Sequence, residues 1–161
     1  DLLATARHLI RLRREHPVLR QERFFAGRPV HSDGTKDLAW FAPDGAEMNH
    51  ERWHDPRVRV LQMYLHAVVL APESARRHHT DESLLVVLQG QPEPVEVRLP
   101  GAPWASRYRL LWDSAQARPP ALDDYAGTDW TALGPDTPGP VPGGGTITLA
   151  PFSMRIYGTR R

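Results

Sequence analysis

The 161-residue sequence contains no cysteine. Disulfide frameworks, thiolate metal centres and cysteine nucleophiles are thereby excluded. The absence fits a reducing, cytoplasmic compartment. Lysine is nearly as scarce, Lys36 being the only one. Arginine supplies the remaining positive charge, a skew that reads as codon usage in a GC-rich genome rather than as guanidinium chemistry. An excess of one charge is missing too. Twenty basic residues against 19 acidic ones leave a formal net charge of +1, so no global field attracts nucleic acid or an anionic membrane. No apolar run reaches the roughly 20 residues that span a bilayer. Nor does the sequence open on a methionine or a signal peptide: it starts at Asp1 and enters a helical pattern at once, which reads as a segment of a longer polypeptide.

What is plentiful is proline and glycine, 16 and 12 residues, many of them set between short β-like runs. That punctuation predicts an all-β body with many turns. Residues 1–16 are the exception. Leu2, Leu3, Ala6, Leu9, Ile10 and Arg13 recur at three- and four-residue spacing, predicting an amphipathic helix whose apolar stripe must be buried against something. Asp1 suits its start, Arg11, Arg13, Arg14 and His16 suit its end, and Pro17 stops it.

Beyond Pro17 the period shortens. Lys36–Phe41 is a strand candidate, and Pro43-Asp44-Gly45 is a turn, because proline presets φ and glycine accepts positive φ. Asn49–Trp53 forms one helical turn before Asp55-Pro56. Arg57–His66 alternates, with Val58, Val60, Gln62, Tyr64 and His66 on one face and Leu61, Met63 and Leu65 on the other. Residues 71–82 read as a polar loop. Ser83–Leu88 is a continuous apolar run, Val95–Leu99 alternates strictly, and Tyr108–Asp113, Thr146–Leu149 and Ser153–Tyr157 complete the strand candidates. Residues 114–144 read as a long surface loop. About six antiparallel strands in this order predict a small β-sandwich.

The ordering of these motifs resembles the C-terminal end of bacterial isoamylase-type glycogen-debranching enzymes, within the α-amylase superfamily. Leu9-Ile10-Arg11-Leu12-Arg13-Arg14-Glu15-His16-Pro17-Val18-Leu19 is similar to the last helix of the catalytic (β/α)8 barrel in that superfamily. Arg23–Pro29, then Lys36–Phe41, Pro43–Met48 and Trp53, are similar to the stretch that leads into the sandwich. Leu84–Leu88 and Glu93–Pro100 are similar to its central hairpin. Two places depart from the pattern: Gln89-Gly90 stands where the family hairpin carries Asn-Ala, and His66–His79 matches poorly.

The resemblance implies a division into residues 1–20, the terminal helix of a missing barrel; 21–57, a connecting segment; and 58–161, a C-terminal β-sandwich. The fold class is therefore mainly β, a small antiparallel sandwich preceded by one α-helix. The full enzyme of such a family hydrolyses α-1,6 branch linkages with two carboxyl groups about 5 Å apart. These sit at the ends of barrel strands, upstream of residues 1–16. The chain alone is then expected to carry no catalytic residue, no metal and no cofactor. Its partners would be the barrel of the same polypeptide and glycogen or another α-glucan, with no nucleic acid and no membrane. The alternative is an autonomous carbohydrate-binding sandwich.

Several side chains invite a sharper reading. His50-Glu51-Arg52-Trp53-His54 matches H-E-x-x-H, which on a helix sets two imidazoles on one face with a glutamate as base and Glu73 as a further ligand. Zinc proteases carry that motif inside a long buried helix, whereas Pro56 follows two residues after His54 and the flanks are polar, so an exposed turn is expected. His78, His79 and Asp81, and likewise Asp123, Asp124 and Asp129, read as solvated loop residues without a metal loop's spacing. Gly143-Gly144-Gly145 has no following Lys-Ser/Thr and is no phosphate loop. Of the five tryptophans, Trp40 and Trp112 lie in strands and are expected to be buried. Trp104 and Trp130 lie in loops and are the candidates for stacking on a sugar ring.

Overall fold

The computed structural model describes residues 2–67, 82–116 and 139–160. A helix, α1 (Leu2–Glu15), runs into a 3-10 turn at Pro17–Arg20. Then come β1 (Leu38–Phe41), a short α2 (His50–His54), β2 (Val60–Leu65), β3 (Ser83–Gln89), β4 (Val95–Arg98), β5 (Arg107–Asp113), β6 (Val141–Pro142), β7 (Thr146–Leu149) and β8 (Met154–Arg160). A six-stranded sheet has the order β1-β2-β3-β8-β5-β6 and a two-stranded sheet pairs β4 with β7. The strand pairs are antiparallel. The chain is a small, mainly β sandwich preceded by one main helix. Among the described residues no helix is long and apolar enough to cross a membrane.

Three layers follow from the side-chain periods. Val60 and Tyr64 of β2, Leu85 and Val87 of β3, Tyr108 and Leu110 of β5 and Tyr157 of β8 face the small sheet, where they meet Val97, Leu99, Ile147 and Leu149. Their neighbours Leu65, Leu84, Val86, Leu111, Trp112 and Ile156 face the other way and pack under Leu12 of α1 and Val18 of the 3-10 turn. The Leu84–Leu88 run is uninterrupted because β3 is covered on both faces over most of its length. Gln62 is fully buried among the first set. Its Nε2 donates to the Ala42 carbonyl at 2.7 Å and to the Arg98 carbonyl at 2.9 Å, stitching the end of β1 to the end of β4.

The helix is present where its period placed it, but its buried face differs from the expected stripe. Leu2, Leu3 and Ile10 are exposed, at 85%, 55% and 56%, while His8 and Leu12 are buried. The reason lies in β5. A bulge between Leu110 and Trp112 takes Leu111 out of register with β8, and His8 Nε2 donates to the Leu111 carbonyl at 3.0 Å. Buried backbone acceptors must be paired, and the helix rotates to bring His8 over that carbonyl. Arg20 closes the helix end: its Nε donates to the Arg13 carbonyl at 3.0 Å and its Nη2 to the Arg14 carbonyl at 2.9 Å, satisfying acceptors that a helix C-terminus leaves open.

Leu38–Phe41, within the segment assigned to a connector on sequence, is the edge strand of the large sheet, paired with β2 from Leu38 opposite Leu65 to Phe41 opposite Gln62. Within the stretch expected to be loop, Val141–Pro142 pairs with β5; residues 117–138 lie outside the described residues. The glycine run that follows has a packing reason. Gly143 donates to the Ser106 carbonyl at 2.8 Å, and a Cβ there would collide with the Ala105 carbonyl oxygen.

Candidate functional site

The outer edge of β1 carries a cleft that joins aromatic and charged side chains. It is built by short-range devices. Pro43-Asp44-Gly45 makes the expected turn, with Gly45 N donating to the Ala42 carbonyl at 3.0 Å. Gly45 sits at φ 79°, and a Cβ there would press on the Arg98 and Leu99 carbonyls. Asn49 then caps α2, its side chain accepting from Arg52 N at 3.0 Å. Arg52 reaches back with Nη1 and Nη2 to the Asp44 carboxylate, at 2.7 and 2.8 Å. That pairing holds the Asp44 carboxyl below its ordinary value and ties α2 to the turn.

The result fixes Trp53. Its ring lies edge-to-face on Trp40, centroids 5.8 Å apart at 73°, yet Trp53 remains 49% exposed. Trp40, expected to be buried, is half-buried, because β1 is an edge strand and this side chain faces the rim of the sheet. A cavity of about 320 Å³ opens there, lined by Phe25, Met48, the two tryptophans and the Lys36–Glu47 ion pair. Asp37 shapes its far wall: its carboxylate accepts from Ala26 N at 2.7 Å and Arg28 N at 3.1 Å. Burial acts to raise the Asp37 carboxyl, but those backbone N–H groups, with Leu38 and Gly27, outweigh it and hold it below the ordinary value.

Trp104 sits elsewhere. It is half-buried, with its ring edge-to-face on Phe41 at 5.0 Å and on Tyr64 at 5.3 Å, and it packs against the sandwich core. Trp130 lies outside the described residues, as do Glu73, His78, His79, Asp81, Asp123, Asp124 and Asp129. Trp112 is buried, as expected. The H-E-x-x-H residues form the five-residue, exposed α2, where His54 Nδ1 is engaged by the His50 carbonyl at 2.8 Å. Among the described residues no group of three or more His, Cys, Asp or Glu side chains is placed to hold a metal.

Two polar clusters escaped the sequence reading. Glu82, at the end of the expected loop, is half-buried and lies against Arg109 Nη2 at 3.2 Å and His16 Nε2 at 3.3 Å. It ties the helix end to the sheet. The second cluster pairs His31 with His66, Nε2 to Nε2 at 2.8 Å. His66 Nδ1 lies 3.2 Å from the Tyr64 hydroxyl and 3.1 Å from Ser83 Oγ. Neither cluster has a local sequence signal, since the partners are far apart in the chain.

No family model matches the chain. Curated proteins do. The chain is 36% identical over 110 residues to the glycogen operon protein GlgX homolog of Mycobacterium bovis (strain ATCC BAA-935 / AF2122/97). It is equally similar to the GlgX homolog of Mycobacterium tuberculosis (strain CDC 1551 / Oshkosh). Each match covers 67% of this chain and 15% of the relative, so the chain spans a small part of the length of the proteins it matches. Among solved structures, the trehalulose synthase MutB from Pseudomonas mesoacidophila MX-45 aligns with 96% of this chain and 17% of its own, at 17% identity and a TM-score of 0.42. A likeness at that level bears on neither the fold nor the activity of this chain. The chain is related to the GlgX homologs, and it resembles the C-terminal region of an isoamylase-type glycogen-debranching enzyme.

Proposed function

We propose that this chain is the C-terminal accessory domain of a cytoplasmic glycogen-debranching glycoside hydrolase. Hydrolysis of α-1,6 branch linkages would belong to the full polypeptide, and the chain alone would not catalyse it. The observation that carries this reading is the 36% identity to GlgX homologs, spread over two thirds of this chain but only 15% of theirs. The physical chemistry supports it in two ways. Leu2, Leu3 and Ile10 leave an apolar face of α1 in solvent, on the side away from the sheet; a neighbouring barrel of the same polypeptide would cover it. The half-buried Glu82 and the buried Asp113 carboxylates are each held by an arginine, Arg109 and Arg155. They are structural anchors rather than an acid–nucleophile pair flanking an open cleft.

The test is to express the longest polypeptide that contains these residues, beside the 161-residue chain, and measure release of linear chains from glycogen. Release by the long form and none by the short form is the expected result. A long form that leaves branch points intact sinks the proposal.

A further inference from the structure

We propose that the cleft between α2 and the outer edge of β1, formed by Trp53, Trp40, Phe25, Met48 and the Lys36–Glu47 pair, is a binding subsite for one glucosyl unit of an α-glucan. The choice of an α-glucan rests on the function proposed above; the choice of a sugar rests on the cleft. Half of a tryptophan surface faces water at Trp53, a costly position for a large apolar ring. The ring is nevertheless held in one orientation. Trp40 supports one edge at 5.8 Å, the Asn49 cap sets the start of α2, and the two Arg52–Asp44 hydrogen bonds anchor it. A flat, pre-oriented apolar face loses little freedom when a ligand settles on it.

The polar side completes the match. Lys36 donates and Glu47 accepts, so hydroxyl groups find both a charged donor and a charged acceptor in one wall. Their charges cancel, which suits a neutral polyhydroxylated ring better than an anion or a cation. The volume, about 320 Å³, lies at the small end of ligand pockets, which run from roughly 300 to 1,000 Å³. It fits a single ring and not a long helical segment. One such contact gives weak affinity, with Kd on the order of 1 mM. A branched polymer presenting many chain ends raises retention by rebinding.

The experiment is affinity electrophoresis of the 161-residue chain through gels with and without glycogen, backed by fluorescence titration with maltoheptaose. The variants are Trp53→Ala, Lys36→Gln and Trp130→Ala. Retardation of the parent chain, lowered about tenfold or more by Trp53→Ala and reduced by Lys36→Gln, with Trp130→Ala unchanged, is the expected pattern. Lys36→Gln leaves both indoles in place, so its loss cannot be put down to a collapsed α2. Undiminished binding by Trp53→Ala and Lys36→Gln overturns the site. Absence of any glucan binding by the parent chain overturns it as well, while leaving the accessory-domain reading to stand or fall on the debranching activity of the long polypeptide.

Discussion

At the residue scale, single buried polar groups decide how the layers are joined. Gln62 binds the carbonyl of Ala42, just past the end of β1, and that of Arg98, the last residue of β4. Gln62→Leu roughly keeps the volume and removes both hydrogen bonds; the Ala42 carbonyl keeps the Gly45 N–H while the Arg98 carbonyl loses its Gln62 donor, a loss of about 1–3 kcal/mol. Urea unfolding should show that loss with an unchanged slope. His8 makes a second case. Its burial lowers its pKa from the ordinary 6.5, against the raising influence of the Leu111 carbonyl and Glu15. The unfolded chain therefore takes up a proton at a higher pH than the folded chain. The folded state is favoured by the neutral ring above the unfolded value, and this stability is lost as the pH falls through 6.5 toward the lower folded value. His8→Gln retains an amide N–H for the Leu111 carbonyl and removes the titration. Denaturation midpoints at about pH 7.5 and about pH 5.5 should diverge less for the variant than for the parent; equal divergence would remove His8 from the account. Tyr108 shows the opposite direction: burial pushes its phenol well above the ordinary value, so it stays a donor to the Pro100 carbonyl at 2.8 Å.

At the element scale, the strands were legible because burial imposes a period. Strict alternation at Val95–Leu99 gave β4, and a continuous apolar run gave β3, whose two faces serve two cores. The helix was legible in existence and not in orientation. Leu2, Leu3, Ala6, Leu9, Ile10 and Arg13 form a good stripe by spacing; Leu9 of that stripe packs against the core, but the buried residues of the helix are His8 and Leu12. A bulge in β5 settles the matter, and no pattern local to residues 1–16 records a bulge about a hundred residues away. Leu12→Ala should therefore cost about 2–5 kcal/mol, while Ile10→Ala, at an exposed position, should stay within about 0.5 kcal/mol; thermal melts of both variants check the order. The Gly143 turn makes an element-level prediction of its own. Gly143→Ala drives a methyl group into the Ala105 carbonyl and should lower stability by about 1–3 kcal/mol, read from the same melts.

At the scale of the whole molecule, the exposed face of α1 separates the chain on its own from the proposed larger protein. Ile10→Glu should leave the melting temperature of the 161-residue chain unchanged, because Ile10 already faces solvent. The same change in the long polypeptide should lower its melting temperature, since a charge would enter an apolar contact. Equal insensitivity in both would place the α1 face outside any interface. The candidate cleft was only half legible. Trp53 and the Pro43–Gly45 turn stood out in sequence, but Trp104 and Trp130 drew the sugar reading because both lie in loops. Loop position does not report exposure, and Trp104 turns its ring into Phe41 and Tyr64. By itself the sequence determined the class of fold, the turns and most strands, since these follow from periodicity, φ preferences and burial, all local properties. Tertiary structure alone decided which face of α1 is covered, that β1 is an edge strand, and that Lys36, Glu47, Trp40 and Trp53 share one cleft. Those are meetings between segments distant in the chain, fixed by the registry of the sheet rather than by any neighbouring residue.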